Sequence, residues 1–220
     1  MSLLVAQQLV RRYQGSAQAS LDGVALQVAA GEFLAVAGPS GSGKTTLLAI
    51  LGGLDRPDSG RVLLGGEDVY ARSTDGLARL RAGSISFVFQ SHNLIPTLTA
   101  LENVALAVWC RFGAAVPAYE RARSALSALN LETKLTRLPG RLSLGEQQRV
   151  AVARAIAAGP KVLIADEPTA SLDGSHGEQV LDALAVLQSE GCAVVLASHD
   201  ERCLRRADRV LKLADGREIQ

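Results

Sequence analysis

Residues 38–46 read "GPSGSGKTT", with Gly38, Gly43, Lys44 and Thr45 where the pattern of glycine, four residues, then Gly-Lys-Ser/Thr requires them. The apolar run "FLAVA" (33–37) precedes this stretch and the helically periodic "KTTLLAILGGL" (44–54) follows it. Strand, glycine loop and helix in that order give the pattern its meaning. The glycines let successive backbone N–H groups converge on a β-phosphate, and the helix N-terminus adds its positive end. Lys44 would reach the β- and γ-phosphates, and the Thr45 hydroxyl would ligate Mg²⁺.

"KVLIADEPTASLD" (161–173) supplies what such a loop needs next. Val162 to Ala165 form a buried strand whose end presents Asp166, placed to hold Mg²⁺ through water, and then Glu167, a carboxylate free to polarise an attacking water. Two solvated acids at a strand end are the plain alternative; the phosphate loop in the same chain argues against it.

At 220 residues and 48% hydrophobic content, the chain can build one sizeable core without staples. The net charge of +1 is spread along the chain, so the footprint that nucleic-acid binding leaves is missing and no nucleic-acid partner is expected. Cys110, Cys192 and Cys203 are odd in number and lack zinc-site spacing; they read as small buried or neutral residues. "MSLLVAQQLVRR" has its basic pair after the apolar stretch, unlike a secretion signal, and no apolar run approaches the roughly 18–20 residues that span a bilayer. A soluble, cytoplasmic chain is expected.

"RVLLGGEDVY" and "VLKLADGREI" predict hairpins turning at Gly65–Gly66 and Asp215–Gly216. "FLAVA", "KVLIAD" (161–166) and "AVVLAS" (193–198) have the length of strands buried on both faces, which implies a mostly parallel sheet covered by helices. Helical periodicity runs through 44–54, 119–130, 146–159 and 176–190. Residues 91–160 contain helices and loops without a convincing buried strand, and read as a helical lobe inserted into an α/β core.

"RLSLGEQQRVAVARA" (141–155) admits two readings. Ser143 with Glu146 three residues on is a helix capping box, and an ordinary helix needs nothing more. The same helix start is also an anion site.

The order of six motifs answers the question: "GPSGSGKTT", "FVFQ" (87–90), "LSLGEQQ" (142–148), "LIADEPT" (163–169), "SLD" (171–173) and "SHD" (198–200). In that order the chain resembles, over essentially its whole length, the nucleotide-binding subunits of ABC (ATP-binding cassette) transporters. The resemblance implies a P-loop NTPase core with a mostly parallel sheet, an N-terminal antiparallel β part and an inserted α-helical subdomain. It implies a single domain over 1–220, with the core at 1–90 and 161–220 and the helical subdomain at about 91–160.

The resemblance assigns ATP to Tyr13, stacking on adenine, and to Gly38, Ser40, Gly41, Ser42, Gly43, Lys44, Thr45 and Thr46 around the phosphates. It assigns Mg²⁺ to Thr45, Gln90 and Asp166, and catalysis to Glu167, His199, Lys44 and Gln90. Ser143, Gly145 and Glu146 would face the γ-phosphate bound by a second copy, so that two ATP molecules are sandwiched in a head-to-tail homodimer, with Asp173 coupling the sites at the seam. The family pattern has glycine where this chain has Leu144; if that position needs a positive φ, leucine costs on the order of 1 kcal/mol. His92 and His176 fit no motif and read as solvated, while Trp109 reads as lobe packing or part of the transporter-facing groove.

"FVFQSHNLIPTLTALENV" (87–104) and "GLDRPDSGRVLLGG" (53–66) are similar to the ATPase subunits of the lipoprotein-release and macrolide-export group. The expected function is ATP hydrolysis that drives a separate transmembrane permease subunit, docking near Gln90 to Pro96, in export or mechanotransmission. The expected place is the cytoplasmic face of the inner membrane, held there through the permease. Two alternatives stay open: a soluble ABC ATPase acting on nucleic acid or ribosomes, and a weakly hydrolysing nucleotide-gated module, which Leu144 supports.

Overall fold

The central strands are short apolar runs that follow no surface alternation, because both of their faces are covered. In the computed structural model, which describes residues 2–15 and 18–219, the chain runs β1 (Ser2–Arg11), β2 (Leu21–Ala29), β3 (Phe33–Ala37), α1 (Lys44–Leu51), β4 (Ser59–Leu64) and β5 (Glu67–Asp68). It continues through α2 (Thr74–Ser84), β6 (Ile85–Val88), α3 (Ala100–Phe112), α4 (Ala118–Ser127), α5 (Leu144–Ala157) and β7 (Val162–Asp166). It ends with α6 (Gly174–Ser189), β8 (Ala193–Ala197), α7 (Glu201–Arg206), β9 (Arg209–Ala214) and β10 (Arg217–Ile219). Met1 and Gln220, the ends of the expected 1–220 domain, lie outside the described residues.

Two sheets form. One is antiparallel, in the order β2-β1-β4-β5; the other runs β10-β9-β3-β8-β7-β6, parallel from β9 to β6 with β10 antiparallel at its edge. Period-two alternation divides the parallel strands between two cores. Leu34, Val36, Ile164 and Val195 face α1 and the antiparallel sheet, while Phe33, Ala35, Leu163 and Leu196 face the cluster built with α3 to α6. Each fully buried leucine or valine there contributes roughly 1.5–3 kcal/mol by leaving water. Because β3, β6, β7 and β8 run in one direction, their carboxyl ends open on one rim, where such sheets place their ligands.

Both expected hairpins form. Leu64 pairs with Glu67 across Gly65 and Gly66, and Ala214 pairs with Arg217 across Asp215 and Gly216; all four turn residues have φ between 48° and 85°, as type I′ turns need. Cys192 and Cys203 are buried, while Cys110 is exposed on α3. One expectation about burial fails. His92, read as solvated, is buried at φ 62° between the exposed Ser91 and Asn93, and burial pushes its imidazole pKa down. Among the described residues, no helix is long and apolar enough to cross a membrane.

Candidate functional site

The rim begins with the loop between β3 and α1. Gly43, the N-cap of α1, has φ 103°, and a Cβ there would stand 2.2 Å from the Ser20 carbonyl oxygen, so no other residue fits. Lys44 arches back over its own loop, donating from Nζ to the carbonyl oxygens of Gly38 at 2.7 Å and Pro39 at 2.9 Å. Ser40, Gly41 and Thr45 are exposed, Thr46 is half-buried, and the buried Ser42 Oγ has no hydrogen-bond partner among the described residues.

Asp166 closes β7 opposite this loop, and the Thr45 hydroxyl donates to its Oδ2 at 2.7 Å. Burial, the largest influence, raises the Asp166 pKa, the Thr45 bond opposes that, and the neighbouring Glu167 charge adds to it. Glu167 sits at φ 49°, an uncommon conformation for a residue with a Cβ, and its N–H donates to the Ala197 carbonyl at 2.9 Å. That twist leaves a carboxylate only 11% exposed and held on both oxygens: Ser198 Oγ donates to Oε2 at 3.0 Å, and His199 Nδ1 lies 2.8 Å from Oε1. With the proton on Nδ1, His199 donates and orients the carboxylate. A fixed carboxylate beside an anion-binding loop can take a proton from water.

Gln90 is exposed two residues beyond β6. The loop after it is clamped from two helices. Arg154 of α5 donates to the carbonyl oxygens of Asn93 at 2.6 Å and His92 at 2.8 Å. Asn103 of α3, buried, donates to the carbonyl oxygens of Ile95, Leu98 and Thr99 and accepts from the Ile95 N–H. No motif in the sequence marks either residue. Their signal was a polar side chain on the apolar face of each helix.

Ser143 caps α5, and the capping box with Glu146 is complete. Glu146 is also bound by Lys134 at 2.9 Å, and its pKa falls, first through the Lys134 bond and then through the Ser143 N–H. Leu144 is the first helical residue, 65% exposed, and is not among the residues with positive φ, so the backbone at this position asks for no glycine. Gly145 packs against the next loop: a Cβ there would come within 3.2 Å of the Ser171 carbonyl oxygen. Asp173 caps α6, accepting from the His176 N–H at 3.0 Å and the Ser175 hydroxyl at 2.9 Å; its Oδ2 lies 2.8 Å from His176 Nδ1. These bonds hold the Asp173 carboxyl well below the usual range, and His176, read as solvated, keeps a side chain 36% exposed while pairing with Asp173.

Tyr13 stands past the end of β1 and is 40% exposed. Its hydroxyl donates to Asp55 at 2.7 Å, and the Arg11 guanidinium, itself bonded to Asp55 and Asp58, lies 4.7 Å from the ring centroid. Hydrogen bonds thus join Thr45 to Asp166 and Glu167 to Ser198 and His199. Ser143, Gly145, Glu146 and Asp173 form a second group, on the α5 and α6 N-termini.

The ABC transporter family profile matches residues 21–170. A macrolide export ATP-binding/permease protein, MacB, of Brucella melitensis is 46% identical over 196 residues, 89% of this chain and 30% of the relative; the chain thus spans less than a third of that protein's length. The lipoprotein-releasing system ATP-binding protein LolD of Geobacter metallireducens is 45% identical, with 99% of this chain and 98% of the relative covered. Among solved structures, the dimeric post-hydrolysis state of the ATP-binding cassette MJ0796, bound to ADP and Pi, superposes with a TM-score of 0.92 at 37% identity, covering 99% of this chain and 98% of that one.

Proposed function

The chain belongs to the ABC transporter family as an ATPase cassette, and from that premise we propose that it hydrolyses ATP to move a separate transmembrane subunit. The observation that carries this reading is a pair of adjacent junctions: Thr45 bonded to Asp166 at the mouth of the glycine loop, and, one residue on, Glu167 held by Ser198 and His199. The phosphates of ATP lie in the loop Gly38–Gly43 and along the first turn at Lys44, Thr45 and Thr46, with Ser40, Gly41 and Ser42 turning toward them. Lys44 exchanges the carbonyl oxygens of Gly38 and Pro39 for the β- and γ-phosphates. Adenine stacks on the Tyr13 ring, which Asp55 and Arg11 hold in one orientation.

Glu167 takes a proton from water as the water oxygen attacks the γ-phosphorus in line and the bond to the β–γ bridging oxygen breaks, giving ADP and phosphate. His199 keeps the carboxylate aimed. The Thr45 hydroxyl and the Asp166 carboxylate are hard oxygen donors of the kind Mg²⁺ takes, and with Gln90 they would hold it. Bound there, the ion supplies charge neutralisation to the phosphates.

Ser143, Gly145 and Glu146 face the γ-phosphate of a second copy in a head-to-tail dimer, with Asp173 at the seam; the likeness to a dimeric cassette supports this. The capping box and the anion site are one geometry, since a capped helix start still presents N–H groups and a dipole to an anion supplied in trans. The clamped loop from Gln90 to Pro96, with Ile95 exposed, receives the permease subunit and keeps the cassette at the cytoplasmic face of the membrane. Export or mechanotransmission is the mode that the names of the MacB and LolD relatives favour. We read residues 1–220 as one ATPase domain, its core at 1–90 and 161–220 and its helical subdomain at about 91–160.

Phosphate release by the purified chain tests the reading. Turnover that disappears in Lys44→Ala together with nucleotide affinity is expected; turnover that survives the change would overturn it.

A further inference from the structure

We infer that Arg202 is a positioning residue that ties the loop of His199 to the loop of Asp173, so that the state of the dimer seam reaches the Glu167 carboxylate. This rests on the dimer reading above.

The guanidinium of Arg202 works in two directions. On one side Nε and Nη2 grip Asp200, at 3.1 Å to Oδ1, 3.0 Å to Oδ2 and, for Nη2, 2.7 Å to Oδ2. On the other, Nη1 donates to the carbonyl oxygen of Gly174 at 3.0 Å and reaches that of Asp173 at 3.5 Å. The first turn of α6 is shaped to admit this group. A Cβ on the buried Gly177 would come within 2.5 Å of Nη1 and 2.9 Å of Cζ, so the guanidinium occupies space that any other residue there would take.

Asp200 carries the link onward. It accepts the Thr169 hydroxyl at 2.9 Å, its N–H donates to Ser198 Oγ at 3.1 Å, and Ser198 Oγ in turn donates to Glu167 Oε2 at 3.0 Å. The bonds therefore run without a gap from Glu167 through Ser198, Asp200 and Arg202 to Gly174 and Asp173. The other arginines of α7 do nothing similar: Arg205 pairs with Glu201 one turn away, and Arg206 pairs with Glu178 and Asp182 along one face of α6. Only a planar fork can hold a carboxylate on one edge while donating from the far nitrogen; an ammonium is a point charge. The bonds from Arg202, the largest influence, hold Asp200 at about 2, so the link stays charged at any working pH.

The test compares the purified chain with Arg202→Met, Arg202→Lys and Gly177→Ala, reading phosphate release against ATP concentration, binding of a fluorescent ATP analogue and melting temperature. In the unaltered chain two coupled sites give a Hill coefficient that rises above 1 toward about 2. Arg202→Met is expected to bind the analogue as before, to turn over about tenfold more slowly and to lose its cooperativity. Arg202→Lys is expected to recover thermal stability without recovering cooperativity. Gly177→Ala displaces the guanidinium yet keeps its charge and improves helix propensity, so it separates coupling from folding if Arg202→Met fails to fold. Its expected result is lost cooperativity at an undiminished melting temperature. Cooperativity unchanged in these variants, with turnover falling only as folded protein is lost, overturns the inference and leaves Arg202 a stitch between α6 and α7. An unaltered chain that shows no cooperativity, and no ATP-driven dimer as Glu167→Gln, sinks the dimer reading and this inference with it.

Discussion

His199 Nδ1 lies 2.8 Å from Oε1 of Glu167, and the pair divides its exposure unequally: 78% for the imidazole, 11% for the carboxylate. The carboxylate is thus sheltered while the imidazole that holds it stands in solvent. Gln in place of Glu167 keeps the volume and one carbonyl oxygen but cannot accept a proton from water. Glu167→Gln should lower turnover by on the order of 10²–10⁴, the range for loss of a general base, while ATP affinity holds. Light scattering of that variant should show monomers that double in mass only with ATP and Mg²⁺. Rapid hydrolysis by the variant would remove Glu167 from its role.

Thr45 Oγ1 and Asp166 Oδ2 are 2.7 Å apart, and the hydroxyl opposes the rise in pKa that burial imposes on the acid. Thr45→Val removes that donor at constant volume, so the Asp166 pKa should rise further and the acid limb of the turnover–pH profile should move to higher pH. The Mg²⁺ concentration needed for half-maximal phosphate release should increase by about 10-fold or more, the scale on which lost partners weaken metal sites. An unmoved Mg²⁺ titration would detach Thr45 from the ion.

Acid should unfold the chain through its paired carboxylates. Asp200, held at about 2 by Arg202, has a folded pKa below the ordinary value near 3.9, so its contribution is complete above about pH 4 and is lost as pH falls toward 2. Solvent screening of a pair whose side chains are 23% and 19% exposed keeps that contribution on the order of 1 kcal/mol. Urea midpoints measured from pH 5 to pH 3 should fall less steeply for Asp200→Asn than for the parent. Parallel curves would mean that other carboxylates carry the acid sensitivity.

What could be read from the residues alone follows from how narrowly each element constrains its sequence. The glycine loop admits few alternatives, as Gly43 shows by its contact with Ser20, and the buried parallel strands need uninterrupted apolar runs; both were legible. β1 was not, because its alternation breaks at Gln8, whose φ of 48° belongs to a bulge: the buried positions run Leu4, Ala6, then Leu9. α2 was missed because Gly76 and Gly83 interrupt it and only Leu77 is buried. His92 is not legible as a buried residue because its flanking Ser91 and Asn93 are exposed and its backbone, at positive φ, is held by Arg154, 62 positions away. The Arg202 link belongs to the same class. Its partners are named by the packing of α7 on α6 and not by spacing along the chain.

Leu144 stands where the family pattern has glycine, and the structure turns that departure into a prediction with a sign. If leucine were held at positive φ, glycine would relieve strain and stabilise the chain by about 1 kcal/mol. The residue instead starts α5 in ordinary backbone with its side chain 65% exposed. Leu144→Gly should therefore remove a good helix former for nothing in return, lowering stability by up to about 1 kcal/mol and the melting temperature by roughly 2–4 °C. The cap made by Ser143 and Glu146 does not involve the residue 144 side chain, so the N–H groups at the start of α5 keep their places. In the Glu167→Gln background, light scattering should then record the same ATP-driven increase in mass with leucine or glycine at this position. A dimer that forms only with glycine would show that the leucine side chain obstructs the seam by its bulk, since its backbone does not.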